Sequence, residues 1–469
     1  MHVGWFSVLE LPEGRERFDL DELKSRIDGR LHLLPRFRQR VTKIPLGAGE
    51  PVWRDDPEFD LDHHVREVPA PLAGFGSRRV TDAFFTDPLR RDRPLWEIVL
   101  IPRIEDGRAG ILGKIHHCMV DGVAAVELGM LLFDVAPDMM SDAPQQWIPA
   151  PTESPARLAV DAVADNALEQ FRVARRMVGL ARSPGQTVRV ANALGRAALQ
   201  VAEDALGPAP PSYLNVEIGP TRTLTTHGVA LERLLALKRD HGVKLNDIVL
   251  VACAGALRRL ALDRGEPPID LRVMVPVNVR RPGEDTDGTG NKITFGFIEL
   301  PISSDRAQER LQRVVESMNA LKNDGRIEGS TILLSAAGML PEPLKDRAAR
   351  FAASPRLYNL IVSNVPGPRA PLYACGAKVE SIHPVIPTPE LHALSIGVLT
   401  YNGAAHFSFY ADPLALPRTD SLPSALEKAV IELEDSLRPA LRHRARAGAM
   451  GARRGAVHGP TRQPVERLS

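Results

Sequence analysis

The sequence has little cysteine and no excess of either charge. Its three cysteines, Cys118, Cys253 and Cys375, lie far apart in 469 residues and form no C-x-x-C pair. Three thiols cannot all pair with one another, and this usage is typical of a reducing compartment, so we expect a cytosolic protein. The 59 Lys and Arg residues nearly balance the 58 Asp and Glu residues, which leaves a formal net charge of +1. A chain with so little net charge has no field that attracts nucleic acid, and we predict no nucleic-acid partner.

Long apolar runs are missing as well. The run IVLVACAGAL, which starts at Ile248, is well short of the ~20 residues that a membrane span needs. The start of the sequence, MHVGWFSVLELPEG, has no basic region ahead of a long apolar stretch and does not have the pattern of a signal peptide. We therefore predict that the protein has no transmembrane segment.

Several common catalytic motifs are absent. The sequence has no G-x-S-x-G elbow, no G-x-G-x-x-G and no G-x-x-x-x-G-K-[ST]. Serine hydrolase, dinucleotide-binding and P-loop functions therefore have no support in the sequence.

The patterning that is present predicts a mixed α/β protein. HVGWFSVLEL and RPLWEIVLIPRI are typical of strands, and the stretch from Asp19 to Val41 predicts an amphipathic helix. The second half repeats this alternation, with strands such as LRVMVPVNV and AAHFSFYAD around helices. The helix prediction depends on apolar residues at helical spacing, namely Leu20, Leu23, Ile27, Leu31 and Leu34.

The length of the chain and a proline-rich stretch both indicate more than one subdomain. A 469-residue chain exceeds the size at which one core usually stops growing, so two subdomains are expected. The proline-rich stretch from Ala136 to Arg157 marks a boundary. We predict an N-terminal subdomain over 1–140, a linker with connecting helices over 141–212, a C-terminal subdomain over 213–440 and a tail over 441–469. The tail has seven arginines against one glutamate and is expected to be disordered, with weak attraction to anionic lipid as the alternative.

The stretch GILGKIHHCMVDGVAAVEL contains the principal candidate for chemistry. A neutral imidazole accepts a proton at cellular pH, and the end of a strand is rigid on one side and open on the other. Neighbouring residues in an extended segment point to opposite sides, so only one of His116 and His117 needs to face a substrate. Asp121 alone is explained as a helix N-cap, and Gly122 permits close backbone packing.

Other interpretations of these residues are weaker. A metal bound by His117 and Asp121 lacks a third ligand, and we predict no metal site. Cys118 is expected to pack as a small apolar side chain rather than to act as a nucleophile. The other histidine pair, His63 and His64, has no Asp-Gly after it and is expected to be structural.

The motifs together resemble a known family. HHCMVDG, from His116 to Gly122, resembles the H-H-x-x-x-D-G signature of the CoA-dependent acyltransferase and condensation-domain superfamily. The stretches RPLWE, LNDIVLVACAGALR, VMVPVNVR, GNKITFGFIELP and SNVPGP resemble, in similar order, the bacterial wax ester synthase/diacylglycerol acyltransferase family. This resemblance covers the chain to about Pro439 and departs only at the front, where family members carry a short extra segment before the first strand.

The resemblance implies a fold and an activity. The fold would be two chloramphenicol-acetyltransferase-like α/β subdomains with a central tunnel. The activity would be esterification of a lipid hydroxyl by acyl-CoA, principally diacylglycerol to triacylglycerol, with long-chain alcohols giving wax esters. Acyl-CoA would be the co-substrate, no cofactor would be needed, and the protein would associate peripherally with a membrane or lipid-droplet surface. The alternatives are an amide-forming condensation domain and an inactive lipid-droplet or scaffold homologue.

The resemblance also assigns residues. His117 would be the general base, without a covalent enzyme intermediate, and Asp121 would organise the turn by pairing with Arg280. Trp96 is expected to be core packing rather than a substrate contact. The full set of predicted catalytic and supporting residues is His116, His117, Asp121, Gly122, Asn246, Asp247, Asn278, Arg280 and Asn364.

Overall fold

The computed structural model describes most of the chain. The described residues are 2–45, 49–68, 76–119, 131–138, 143–151, 154–164, 207–278, 293–323 and 342–436, together with positions 129, 168, 171, 175 and 195.

Fourteen strands form the three sheets of the described part of the chain. In chain order they are β1 (His2–Glu10), β2 (Gln39–Thr42), β3 (Val52–Asp55), β4 (Val65–Glu67), β5 (Trp96–Ile104), β6 (Arg108–His116), β7 (Thr223–Ala230), β8 (Leu271–Asn278), β9 (Ile293–Leu300), β10 (Leu360–Pro366), β11 (Tyr373–Ala374), β12 (Ala377–Val385), β13 (Leu394–Tyr401) and β14 (Ala404–Ala411).

The described residues include eight α-helices. In chain order they are α1 (Leu20–Arg30), α2 (Gly76–Thr86), α3 (155–164), α4 (Leu231–His241), α5 (Leu245–Asp263), α6 (Ala307–Asn323), α7 (Glu342–Ala352) and α8 (422–436). Short 3-10 turns occur at Leu31–Leu33, Pro35–Arg38, Leu61–His63, Glu105–Gly107, His117–Met119 and Thr419–Ser421.

The first sheet combines strands from both halves of the chain. Its order is β11-β12-β1-β6-β5-β4, so the central strand β1 lies between β6 from the first half and β12 from the second. The β1 and β6 strands are antiparallel, with His2 opposite His116 and Glu10 opposite Arg108. A separate two-stranded sheet pairs β2 with β3.

The second sheet has the order β7-β14-β13-β10-β8-β9 and covers a larger core. Helix α5 is buried against it, and every residue from Asp247 to Leu257 is buried. A helix that is apolar all round belongs in a protein core. The apolar run that begins at Ile248 is therefore a core helix, and among the described residues no helix is long and apolar enough to span a bilayer.

The two sheets meet where β12 lies against β13 and β14. The Ser395 hydroxyl donates to the carbonyl of Ile386 over 2.6 Å. A Cβ atom at Gly397 would lie 2.8 Å from the Pro384 carbonyl oxygen, so this position admits only glycine without movement. The Tyr410 hydroxyl also reaches across and donates to the carbonyl of Phe85 over 2.9 Å. One face of the first sheet is therefore packed on the second half of the molecule.

The structure confirms the mixed α/β fold with two subdomains and corrects one predicted helix. The helix predicted from Asp19 to Val41 ends at Arg30. The chain then forms two 3-10 turns, the second of which starts at Pro35, and enters strand β2 at Gln39. Leu31 and Leu34 are buried all the same. The boundaries at 140 and 212 remain predictions. Most of the predicted connecting segment beyond 164, and the tail from 441, lie outside the described residues.

Candidate active site

Strand β6 carries the histidine pair to the end of the first sheet. The strand is buried from Ala109 to Ile115 and ends at His116, whose backbone N–H donates to the carbonyl of Leu95 over 2.9 Å. A 3-10 turn, His117–Met119, follows at once. The ring of Trp5 lies directly over Gly113 in this strand. The turn is therefore held by a rigid strand, and His117 and Cys118 on it are exposed.

The His116 ring closes this turn. Its Nδ1 atom accepts the backbone N–H of Cys118 over 3.3 Å and lies 3.0 Å from the Cys118 thiol sulfur. Because Nδ1 accepts a hydrogen bond, the ring is the neutral tautomer with its proton on Nε2. Burial, together with the nearby positive charge of Arg91, lowers the pKa of His116 to about 4. His116 is therefore neutral at cellular pH and acts as an acceptor within the turn.

Cys118 is placed differently from the prediction. The expectation that it packs as a small apolar side chain is wrong, because its side chain is exposed and in contact with His116. The strand alternation on which that expectation rested ends at His116, where the chain enters the 3-10 turn. Partial burial raises the pKa of the Cys118 thiol, so it is protonated at neutral pH.

The side chain of His117 is exposed, and its ring is neutral. Desolvation by the surrounding protein lowers the pKa of His117, and a hydrogen bond between the ring and its own backbone raises it. The net effect is a pKa below the ordinary value, so the ring is neutral at pH 7. A neutral imidazole has one ring nitrogen that can accept a proton.

A buried lysine supports the same strand. The side chain of Lys114 is fully buried; its Nζ atom lies 3.2 Å from a Glu97 carboxylate oxygen and donates to the carbonyls of Phe84 and Asp87, each over 2.9 Å. Two residues apart on a strand, Lys114 and His116 share a face. Lys114 therefore ties α2 and β5 to the strand that ends in the histidines. The sequence signal for it was a lysine in an otherwise apolar strand.

Two predicted polar residues of the second half are brought together. The Asn364 amide donates to the Asn246 side-chain oxygen over 3.1 Å, which links β10 to the first turn of α5. Asp247 is buried, and its carboxylate accepts the backbone N–H of Lys244 over 3.0 Å. Asp247 is therefore a helix-capping residue at the start of α5.

The remaining predicted site residues are not placed. Asp121, Gly122 and Arg280 lie outside the described residues, and Asn278 is described only as the last backbone position of β8. The predicted pairing of Asp121 with Arg280 stays a prediction. Among the described side chains, no group of three His, Cys, Asp or Glu residues is placed to hold a metal ion.

Trp96 and His64 are buried structural residues, as predicted, whereas His63 is exposed. Trp96 is buried, and its indole N–H donates to the carbonyl of Phe37 over 2.8 Å. His64 stacks on Trp96 with ring centroids 4.5 Å apart and is buried. His63 is exposed at the end of a 3-10 turn rather than in the strand-like conformation expected of this segment.

Two mixed sheets, the first of which takes strands from both halves of the chain, and a histidine pair at the end of a central strand define a CoA-dependent acyltransferase fold of the H-H-x-x-x-D-G type. Residues 1–249 match the family model described as the wax ester synthase/diacylglycerol acyltransferase catalytic domain, and residues 289–434 match the C-terminal domain of the same family. The chain belongs to the wax ester synthase/diacylglycerol acyltransferase family. The predicted family is confirmed.

Relatives and solved structures agree with this assignment. The Mycobacterium tuberculosis protein tgs2, named as a diacylglycerol O-acyltransferase, is 31% identical over 449 residues, which cover 93% of this chain and 95% of that protein. The tgs1 protein of the same organism, with the same kind of name, is 28% identical over 92% of this chain and 90% of its own length.

The structural neighbours include an enzyme of this family and a more distant protein. The wax ester synthase/diacylglycerol acyltransferase from Marinobacter aquaeolei VT8 has a TM-score of 0.65 and 25% identity, over 92% of this chain and 94% of that one. The first condensation domain of the calcium-dependent antibiotic synthetase has a TM-score of 0.57 at 17% identity, over 94% and 92% of the two chains. This second likeness concerns the fold alone.

Proposed function

We propose that this protein transfers the acyl group of a long-chain acyl-CoA to the hydroxyl of diacylglycerol and so forms triacylglycerol, with long-chain alcohols as further acceptors that give wax esters. The observation that carries the proposal is the neutral ring of His117, exposed at the end of a buried strand in a chain of this family. The names of the relatives support diacylglycerol as the acceptor.

The chemistry requires one base and no nucleophile on the enzyme. The free ring nitrogen of His117 takes the hydroxyl proton while the alcohol oxygen attacks the thioester carbonyl carbon. The carbon–sulfur bond of the resulting tetrahedral species then breaks, and the CoA thiolate takes the proton back from the imidazolium. The products are the ester and CoA, and His117 is neutral again. A thioester is already activated, so positioning and proton transfer, the latter about 10²- to 10⁴-fold, supply the catalysis.

His116 acts in this scheme as a positioning residue. Its acceptor bond from the Cys118 N–H spans His117 and fixes the turn on which the base sits. In the same proposal Asp121 and Arg280 form an ion pair that secures the chain after the turn, with Gly122 allowing close packing. Asn246, Asn278 and Asn364 supply polar groups of the substrate passage between the subdomains.

An acceptor panel tests the reaction. Purified protein with labelled palmitoyl-CoA is offered dioleoylglycerol, hexadecanol and hexadecylamine in parallel. We expect ester from the first two and none after His117→Ala, whereas the exposed control His63→Ala retains the full rate. Amide as the main product supports the condensation-domain alternative, and no product from the wild type supports the inactive homologue. Ester formation that survives His117→Ala removes this residue from the mechanism.

We further propose that the protein collects its lipid substrates at a membrane or lipid-droplet surface. Helix α3 buries Leu158 but leaves Val160 and Val163 exposed by 65% and 56%. The helical positions Leu168 and Phe171 are exposed by 54% and 66%. Val160 and Val163 are three residues apart on one helix and therefore share a face. An exposed apolar face marks an interaction surface, and an amphipathic helix binds lipid by inserting such a face.

Flotation with phosphatidylcholine–phosphatidylglycerol vesicles tests this attachment. We expect most of the protein to stay at the bottom of the gradient in the fourfold variant Val160→Ser/Val163→Ser/Leu168→Ser/Phe171→Ser. The rate with water-soluble dihexanoylglycerol is expected to be unchanged. Leu414→Ser, at an apolar residue exposed by 76% in the second half, is the matched control and is expected to float like the wild type. Equal flotation of both variants would contradict the assignment.

A further inference from the structure

We propose that Arg36 and Arg91 bind the phosphate groups of the acyl-CoA substrate at the mouth of the site beside His117. This inference rests on the proposed function, because it concerns the donor of that reaction. It assigns an anion-binding role to two residues for which the sequence motifs give none.

Arg91 lies beside the histidine turn because its loop is tied to β6. The loop ends at Leu95, whose carbonyl accepts the backbone N–H of His116 over 2.9 Å. The next residue, Trp96, is paired with Ile115 in the sheet. Arg91 is four residues before this junction and is exposed. Its side chain therefore stands at the edge of the sheet from which the histidines emerge.

Arg36 approaches the same edge from another element. It lies in the 3-10 turn Pro35–Arg38, and the neighbouring Phe37 accepts the indole N–H of Trp96 over 2.8 Å. The Arg36 guanidinium carbon is 4.5 Å from the ring centroid of Trp53, which holds the guanidinium plane while its N–H groups remain exposed. A stacked arginine loses less freedom when it binds an anion.

The neighbouring carboxylates of Asp92 and Glu97 are paired with other cations. Asp92 accepts from the Arg90 Nε over 3.1 Å and lies 3.5 Å from the Arg93 Nε. Glu97 is paired with the buried Lys114. Within the described part of the chain, Arg36 and Arg91 have no ion-pair partner, so the mouth carries unbalanced positive charge.

The positive charge of these arginines affects the pKa values of residues in the histidine turn. After burial, the positive charge of Arg91 is among the causes that lower the pKa of His116. Arg91 and Arg36 also oppose the rise that burial causes in the pKa of Cys118. The positive charge of both guanidinium groups therefore acts at the turn that carries His117.

The ligand that fits is polyanionic with an uncharged reactive end. Acyl-CoA carries a diphosphate and a 3′-phosphate at one end and the thioester at the other. Diacylglycerol and fatty alcohols carry no charge. Guanidinium groups bind phosphate oxygens through paired N–H donors, and positive charge at a cleft raises the association rate of an anionic substrate. Arg36 and Arg91 therefore select the donor and not the acceptor.

Donors with and without phosphate test the assignment. For Arg36→Gln/Arg91→Gln we expect the KM for palmitoyl-CoA to rise about tenfold or more, with kcat within about twofold. The KM for palmitoyl-pantetheine, which lacks the phosphates, is expected to be unchanged. Arg239→Gln, at an exposed arginine on α4, is the control and is expected to behave like the wild type with both donors.

Calorimetric titration with CoA, which needs no turnover, separates this inference from the proposed function. CoA is expected to bind the wild type and to lose about tenfold in affinity in the double variant, with unchanged thermal unfolding. An equal KM rise for both donors, or unchanged CoA affinity, overturns the phosphate assignment while the reaction stands. A wild type that binds CoA through these arginines but makes no ester overturns the reaction alone.

Discussion

The Asn364 amide is hydrogen-bonded to the side-chain oxygen of Asn246 across 3.1 Å, which joins the end of a strand in the second sheet to the first turn of the buried helix α5. Two motifs that are 118 residues apart in the chain therefore form one structural unit. The two asparagines are far apart in the sequence, so their contact becomes visible only in the folded structure.

Breaking this amide pair is expected to cost modest stability. Asn246→Ala and Asn364→Ala should each lower the free energy of unfolding by about 1 kcal/mol, because one neutral hydrogen bond is lost. Urea unfolding of both single variants and the double variant measures the coupling. We expect the double variant to lose less than the sum of the singles, and strict additivity would show that the bond contributes nothing.

Removing the acceptor from His116 is expected to slow the reaction through His117. His116→Ala leaves the Cys118 N–H without its partner and frees the turn, so kcat should fall about 10- to 100-fold with little change in the KM for acyl-CoA. His116→Asn places an amide oxygen near the position of Nδ1 and should recover much of the rate. Equal rates for the Ala and Asn variants would count against a positioning role.

The acid side of the pH–rate profile should report His117. The neutral ring is the active form, and its pKa is lowered below 6.5, so kcat/KM should be constant near pH 7 and fall only below pH 6.5 as the ring is protonated. Rates measured from pH 5 to 8 with palmitoyl-CoA and dioleoylglycerol locate this limb. A midpoint above pH 6.5 would contradict the environment described for His117.

Acid is also expected to destabilise the fold through buried histidines. Burial lowers the pKa of His2 and His116 to about 4 and that of His383 to about 3. Between those values and the ordinary 6.5 the unfolded chain binds more protons than the folded one, so stability falls as pH falls below 6.5. The Tm should drop between pH 7 and pH 5, and less so in His383→Gln. A Tm that does not change over this range would argue against neutral buried rings.

Gly113 is expected to tolerate no side chain while Trp5 is present. A Cβ atom there would lie 1.9 Å from the Trp5 ring. Gly113→Ala should cost about 2 kcal/mol by overpacking and displace the strand that ends at His116, which lowers activity as well. Trp5→Leu with Gly113→Ala should recover part of both. Urea unfolding and ester formation measure the two effects, and a fully stable single alanine variant would refute the packing argument.

The sequence predicted the elements whose signal is local. Strands β1 and β5 have continuous apolar patterns, and the histidine motif lies at the end of a strand, β6, as expected. Strand β12 was not predicted, because it buries Ser381 and His383 among its apolar residues and contains Pro384. Those polar side chains face partners that only the tertiary fold supplies.

The candidate site was predictable only in part. The motif identified His116 and His117, but a pattern of residue types cannot show which ring accepts a bond within the turn. Arg36 and Arg91 escaped notice because a single exposed arginine has no periodic signature. The exposure of Cys118 was not predictable from residue type, because the strand ends at His116 and Cys118 lies in the 3-10 turn that follows.

The pairing of β1 with strands from both halves of the chain determines the order in which its two edges are paired during synthesis. Strand β1 finds one neighbour, β6, within the first 116 residues, but its other neighbour, β12, ends only at Val385. While the chain emerges from the ribosome, one edge of β1 therefore stays unpaired until more than three-quarters of the protein has been made. An unpaired edge of this kind recruits other strands. The nascent first half therefore exposes an edge that can pair with other chains until β12 has been made.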